Sequence, residues 1–208
     1  MPALSERMAV MEALLVRDLL SRFGRRGLGF FWVILEPMLL TCGVLVVWSL
    51  MRGTTVHNVA VLPLVVTGYL PLTIWRHMTG STARLLHNQS NLLYHRQISH
   101  FDIVIARLVM EFLAASAALA TILFFLLSLD LMEPISDWGL VLAGWVLTGL
   151  YFAGNGLAIA GASQYWEKID KIVQPMNYLM LPISGVFFMV DWLPSWAQQA
   201  ILWNPPVN

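Results

Sequence analysis

Charged residues are scarce in this sequence. Lysine, arginine, aspartate and glutamate make up 12% of its 208 residues, whereas a typical soluble domain carries about 25%. Hydrophobic residues make up 58%, and the mean hydropathy is +0.70. A chain with so little polar surface cannot cover a water-soluble globule of this size. The composition therefore predicts an all-α, polytopic membrane protein, in which each crossing satisfies its own backbone hydrogen bonds.

Cysteine and the common catalytic motifs are also missing. Cys42 is the single cysteine, which excludes an intrachain disulfide, and its apolar surroundings predict a small buried hydrophobe. The sequence has no Walker A lysine loop, no His-Glu-x-x-His and no Gly-x-Ser-x-Gly. His95, His100 and Asp102 are close in the sequence, but their spacing favours a solvated loop over a metal site. We therefore expect no enzyme activity, metal or cofactor in this chain, and no binding of nucleic acid.

Long apolar segments are what the sequence does contain. Five of them are predicted to cross the hydrocarbon core, for which a helix needs about 20 mostly apolar residues. They are residues 30–51, 61–83, 103–129, 138–163 and 175–190. The following residues, 191–204, alternate polar and apolar groups, which predicts a hairpin re-entering the outer leaflet or an outer interfacial loop with a tryptophan belt. Residues 1–208 are predicted to form a single transmembrane domain.

The N-terminal segment 4–23 is amphipathic. Its charged residues exclude a membrane crossing, while its apolar residues recur at the three- and four-residue spacing of one helical face. These apolar residues are Met8, Met11, Leu14, Leu15, Leu19 and Phe23. A cytoplasmic helix lying in the membrane interface fits this pattern, and a helix docked on a partner is the alternative.

Basic residues are distributed unevenly across the predicted topology. Nine of them fall on one side, in the N-terminal segment and in the loops after the second and fourth spans: Arg7, Arg17, Arg22, Arg25, Arg26, Arg84, Arg96, Lys168 and Lys171. The loops on the other side contain one basic residue, Arg52, beside four acidic ones. The positive-inside rule therefore places the N-terminus in the cytoplasm of a multi-pass protein.

Polar residues within or beside the spans are costly unless they face other helices or a cavity. We predict that six of them line a substrate path: Glu36, Arg76, His77, Arg84, Asn155 and Tyr178. Arg76 and Arg84 could bind phosphate or uronate groups through charge and bidentate hydrogen bonds. The alternative is a structural pair with Glu36 or with lipid phosphates. Arg107 and Glu111 lie one helical turn apart and can pair.

Two further features allow two interpretations each. Trp75, Trp145, Tyr151, Phe152 and Tyr178 lie where a channel could run, and their flat faces could stack on sugar rings; membrane-interface belts explain most tryptophans equally well. The loop 88–96 places apolar residues beside polar ones. It could form a short amphipathic helix that couples to a cytoplasmic motor protein, or a loop that covers the helix ends.

Several motifs, in order along nearly the whole chain, resemble those of permease subunits of polysaccharide-exporting ABC transporters, of the capsule-export kind. They are Arg22-Phe23-Gly24-Arg25-Arg26-Gly27-Leu28-Gly29-Phe30-Phe31-Trp32 with Glu36-Pro37, Gly68 with Trp75, Asn88-Gln89-Ser90-Asn91-Leu92-Leu93 with Phe101-Asp102 and Ala106-Arg107, and Ile183-Ser184-Gly185-Val186-Phe187-Phe188 with Leu193-Pro194 and Trp203-Asn204-Pro205. Each motif is loose, and their shared order is what makes the resemblance specific.

The resemblance implies an architecture and a set of partners. Permeases of this family have an N-terminal interfacial helix and six spans, with a re-entrant hairpin before the last, so we expect the family pattern to continue into a sixth span beyond residue 208. Two copies pair, and each docks a separate ATP-binding cassette subunit, which holds the ATP and Mg. The implied cargo is a lipid-linked polysaccharide crossing the inner membrane of Gram-negative bacteria, and periplasmic and outer-membrane export components are further candidate partners.

The same resemblance assigns residues to ATPase coupling. Arg17, Asp18 and Arg22 would belong to the interface helix. The coupling helix would contain Asn88, Gln89, Asn91, Leu92, Leu93, Tyr94 and Arg96. The alternatives are the same architecture exporting O-antigen, teichoic acid or a small drug, a membrane-embedded lipid- or glycan-modifying enzyme, and a secondary transporter with internal repeats. Dependence on a separate ATPase distinguishes the first from the other two.

Overall fold

The structure, a computed structural model, describes residues 4–23, 55–56, 59–88, 99–166, 168–184 and 188–203, with ten helical positions between 35 and 51. The helices are α1 (Leu4–Phe23), α2 (Val61–Ala83), α3 (Leu85–Asn88), α4 (His100–Ser128), α5 (Trp138–Tyr165), α6 (Ile169–Ile183) and α7 (Ser195–Ile201). A 3-10 turn spans Val190–Trp192. Two short antiparallel strands, β1 (Thr55–Val56) and β2 (Val59–Ala60), precede α2 and pair Thr55 with Ala60. The regular secondary structure of the described part is thus helical apart from this short ladder.

Helix α2 lies at the centre of the bundle, packed against α4, α5 and α6. Its side chains are buried around most of its circumference, as expected for a helix enclosed by others. The polar residues that it buries are threonines, whose hydroxyls donate to carbonyls one turn earlier. Thr73 donates to Tyr69 O at 2.8 Å, and Thr79 donates to Trp75 O at 2.7 Å. These local bonds let α2 carry hydroxyls into an apolar core without leaving them unsatisfied.

Helix α4 begins at His100, three residues before the predicted span at 103–129. A capping box explains the earlier start. The Ser99 hydroxyl accepts from Phe101 N at 3.2 Å, and the Asp102 carboxylate accepts from Ser99 N at 3.1 Å. Asp102 is therefore the third residue of the helix and part of its capping box, in which Ser99 is the N-cap residue.

Helix α6 also begins before its predicted position. It starts at Ile169 and ends at Ile183, so the predicted polar loop before residue 175 is helical from residue 169 onward. Two contacts hold this first turn against the bundle: Asp170 forms an ion pair with Arg84, and Val173 is buried. Pro175, the first residue of the predicted span, therefore lies inside α6.

Two described helices, α4 and α5, are long and apolar enough to cross a membrane. Helix α5 exposes Leu140, Leu147 and Leu150, as expected for a surface that faces lipid. Crossing by α2 and α6, and re-entry of the segment that contains α7, remain predictions. Helix α1 occupies its predicted range, and its place in the membrane interface is also still a prediction. Cys42 is exposed, so its predicted burial is wrong within the described part of the chain.

Close approach of α5 to its neighbours depends on two glycines. A Cβ atom added at Gly156 would lie 2.7 Å from Leu108 Cδ2 and 3.4 Å from the carbonyl oxygen of Met78. A Cβ at Gly149 would overlap the ring of Phe112. At Gly154, two residues before Gly156, the same addition meets nothing within 4 Å. The glycines that face the bundle therefore set the α5 packing distance, whereas Gly154 faces outward.

This difference predicts the effect of leucine at each position. Gly156→Leu should destabilise the bundle by about 1–3 kcal/mol, because the new side chain must push α5 away from α2 and α4. Gly154→Leu on the same helix should change stability by less than about 0.5 kcal/mol. Thermal unfolding of both variants in one detergent provides the comparison. Equal melting temperatures would contradict the close packing at Gly156.

Candidate functional site

An arginine on α4 joins two acidic residues. The Arg107 Nη1 atom lies 2.9 Å from Asp18 Oδ2 on α1, and its Nε atom lies 3.2 Å from Glu111 Oε1 one turn along α4. The exposed fractions of these side chains are 16% for Arg107, 11% for Asp18 and 2% for Glu111. The predicted Arg107–Glu111 contact is therefore present, and the structure adds the bond to α1.

Glu111 extends the contacts to a third helix. His77 Nδ1 on α2 lies 3.5 Å from Glu111 Oε2. We call Asp18, Arg107, Glu111 and His77 the ion-pair chain. A carboxylate as buried as Glu111 is costly unless paired, and Arg107 provides the opposite charge. At about 1.5 Å of rise per residue, His77 lies about 9 Å from the last residue of α2, so the ion-pair chain is near the end of the bundle that is predicted to face the cytoplasm.

The described part of the apolar face of α1 packs on protein. Leu14 is buried in the main core, and Val10, Met11 and Leu15 pack against it. The opposite side of the helix is exposed and includes Arg17. Asp18 faces the bundle, where its carboxylate accepts from Arg107, and its assignment to ATPase coupling stays a prediction. The side chain of Arg22 lies outside the described residues.

The predicted coupling segment is described only at its beginning. Asn88 is the last residue of α3, and the remaining predicted residues lie outside the described part: Gln89, Asn91, Leu92, Leu93, Tyr94 and Arg96. Leu85 and Leu86 are buried in the main core. Helix α3, which leads into the segment, is thus packed in the core directly after the end of α2.

The predicted path residues differ in their surroundings. Arg76 is half-buried on α2, two turns after Tyr69 and on the same face, and His77 belongs to the ion-pair chain. Asn155 donates to the carbonyl oxygen of Tyr151 at 2.9 Å within α5. Tyr178 is 66% exposed on α6. Glu36 lies outside the described residues.

Arg84 has a partner that sequence reasoning did not identify. Its Nε atom lies 2.6 Å from Asp170 Oδ2, and its side chain remains 63% exposed. The contact joins the end of α2 to the start of α6. This favours a structural pair for Arg84, with Asp170 as the partner that the structure describes.

A second polar contact between α2 and α6 was also missed. Thr79 Oγ1 lies 3.0 Å from the side-chain amide of Asn177, within hydrogen-bond distance, and both residues are buried. The available signal was an asparagine within a predicted span, where an amide needs a partner. Together with the Arg84–Asp170 pair, this bond fixes α6 along α2.

Three of the five candidate path aromatics come together. The rings of Trp75 and Phe152 are 5.4 Å apart, and those of Tyr151 and Phe152 are 5.5 Å apart. They line a small cleft with residues of α2 and α6. Trp145 is elsewhere, with its indole N–H donating to Ser116 Oγ at 2.9 Å. Trp145 therefore joins α5 to α4, and Tyr178 is on an exposed face.

An open groove of about 1040 Å³ lies near the other end of the bundle. Its walls include Leu70, Leu123 and Val141, and its rim includes Asp130 and Glu133. An acidic rim repels anionic ligands. Among the described residues, no group of three histidine, cysteine, aspartate or glutamate side chains could hold a metal ion.

Comparison with known proteins identifies the family. The family model described as ABC-2 type transporter matches residues 10–207. The chain is 32% identical over 199 residues to the capsule polysaccharide export inner-membrane protein BexB of Haemophilus influenzae, which covers 96% of this chain and 75% of that protein. It is 33% identical over 202 residues to the capsule polysaccharide export inner-membrane protein CtrC of Neisseria meningitidis, with the same coverage.

A more distant relative matches over a similar length. The polysialic acid transport protein KpsM of Escherichia coli is 22% identical over 198 residues, covering 95% of this chain and 77% of that protein. These matches confirm the resemblance drawn from the motifs. The chain belongs to the ABC-2 type transporter family and is a membrane permease subunit.

Proposed function

We propose that this permease exports a lipid-linked capsule polysaccharide across the bacterial inner membrane. The observation that carries the proposal is similarity over 96% of the chain to proteins named for capsule polysaccharide export. The match runs from α1 to the end of the described region, so it includes every element discussed above. An acidic polymer is the proposed cargo.

The proposed orientation has the N-terminus in the cytoplasm. The excess of basic residues on one side of the topology supports it. The Arg84–Asp170 pair adds support, because it joins the end of α2 to the start of α6. These two helix ends belong to loops that the charge count assigns to the same, basic side. The loop with Asp130 and Glu133 would then face the periplasm.

Energy for export would come from a separate protein. The sequence contains no nucleotide-binding motif, so we propose that two copies of the permease pair and that each docks an ATP-binding cassette subunit carrying ATP and Mg. The proposed contact surface is the exposed side of α1, including Arg17, and the segment 88–96. Buried Leu85 and Leu86 would transmit force from that segment to α2.

The ATPase proposal predicts the effect of charge in the coupling segment. Leu92→Asp with Leu93→Asp should weaken ATPase binding by at least about tenfold, because carboxylates would replace apolar contacts in a desolvated interface. ATPase binding and activity would be measured in proteoliposomes with the full-length permease. Leu131→Asp, an exposed leucine in the opposite loop, is the matched control. Normal ATPase binding by the double variant would remove the segment from the interface.

Arg84 allows a test that separates a structural role from a substrate role. Arg84→Ala and Asp170→Asn both break the same ion pair, but only the first removes the guanidinium. Because the pair is exposed, its loss should cost no more than about 1 kcal/mol in stability. If Arg84 binds the anionic polymer, Arg84→Ala should lower export at least about fivefold and Asp170→Asn should not.

Export of the polysaccharide at matched permease amounts provides the measurement for both variants. Equal losses in the two variants would assign the effect to the ion pair and remove Arg84 from the path. The same export assay with Arg76→Ala tests the other arginine, whose neighbour is Tyr69. Unchanged export with normal membrane insertion would remove Arg76 as well.

A further inference from the structure

The ion-pair chain connects the two elements that the proposed function assigns to ATPase contact. Asp18 belongs to α1, whose opposite side is exposed. His77 belongs to α2, which leads through α3 directly into the segment 88–96. Between them, Arg107 and Glu111 on α4 complete the connection. Helices α1 and α2 therefore both contact α4, α1 through Arg107 and α2 through Glu111. These two side chains lie one turn apart on α4.

We propose that Asp18 and Arg107 are positioning residues that hold α1 and the cytoplasmic end of α2 as one unit, so that ATPase motion reaches both together. This inference rests on the proposed function. Asp18 is next to exposed Arg17. A partner that binds the outer side of α1 therefore contacts a helix whose inner side is held to α4 by a charged hydrogen bond. That bond adds a directional contact to the apolar packing of Leu14 and its neighbours, which is less directional than an ion pair.

The charges of the ion-pair chain indicate which substitution tests the role without unfolding the protein. Removing Arg107 would leave Asp18 and Glu111 facing each other without the cation between them, and an uncompensated buried charge is strongly destabilising. Asp18→Asn removes one carboxylate and leaves Arg107 paired with Glu111. It also preserves the shape of the side chain. Asp18→Asn is therefore the informative variant, and Asp18→Glu is the conservative one that keeps the charge.

The first measurement tests whether the bond between Asp18 and Arg107 holds α1 against α4. We call this contact the α1–α4 clamp. Spin labels at Val16 on α1 and Phe124 on α4, both exposed, would be placed in the full-length permease with Cys42→Ala. We expect the distribution of label distances to broaden in Asp18→Asn and to stay narrow in Asp18→Glu. Glu12→Gln, which removes an exposed carboxylate from the same helix, is the matched control and should also leave the distribution narrow. An unchanged distribution in Asp18→Asn would overturn the proposal.

The second measurement tests coupling. Export and ATP hydrolysis would be measured together in proteoliposomes with the ATPase partner, and their ratio taken for each variant. We expect Asp18→Asn to keep its ATPase activity while export per ATP falls at least about fivefold, the size of a typical lost coupling between sites. Asp18→Glu should restore most of the ratio. Asp191→Asn, which removes an exposed carboxylate from the predicted outer loop, is the control and should match the wild type.

The two measurements separate the possible failures. If export and hydrolysis in Asp18→Asn decline together, in proportion to the amount of folded permease, then Asp18 has only a structural role and the coupling proposal is wrong. If the wild type neither binds an ATPase nor exports polysaccharide, the proposed function fails and the coupling role fails with it. In that case a broadened distance distribution in Asp18→Asn would still establish the α1–α4 clamp.

Discussion

Helix α2 is enclosed by α4, α5 and α6. Its buried hydroxyls and the imidazole of His77 have partners inside the bundle, whereas the buried indole N–H of Trp75 has no hydrogen-bond partner in the described part of the chain. Thr73 and Thr79 bond to their own helix, and Thr79 also reaches Asn177 on α6. His77 faces Glu111 on α4. An unsatisfied polar group in such surroundings would cost several kcal/mol, so these partners determine how α4 and α6 can be arranged around α2.

Helix α5 packs on α2 mainly through small residues instead of through polar bonds. It contributes a narrow stripe of Gly149, Phe152, Gly156 and Ala160, and most of the remaining surface is apolar and exposed. Small residues allow the backbones to come close, which increases dispersion contacts where no hydrophobic force from water is available. The bundle thus combines polar bonds on the α4 and α6 sides with close packing on the α5 side. This division leaves the exposed face of α5 free to contact lipid.

A feature could be predicted from the sequence when the residues that determine it lie close together in the chain. The ranges of α1 and α2 follow from apolar periodicity and from a continuous apolar segment, and the Arg107–Glu111 pair follows from a spacing of four residues. The pairs Asp18–Arg107 and Arg84–Asp170 join positions 89 and 86 residues apart, and no local pattern indicates which acid meets which base. The sequence did not predict the start of α6 for the same reason. Its first turn contains Asp170, whose partner Arg84 is distant in the chain.

The polarity of α2 has a consequence for how the protein is made. Helices α4 and α5 are apolar enough to enter a membrane by composition, and a nine-residue connection, 129–137, lets them enter as a helical hairpin. Helix α2 leaves the ribosome before either of them, carrying Arg76, His77 and buried threonines that have no finished bundle to face. Until those neighbours are present, lipid alone does not satisfy these polar groups. Assembly with later helices, more than partitioning into lipid, would commit α2 to its place.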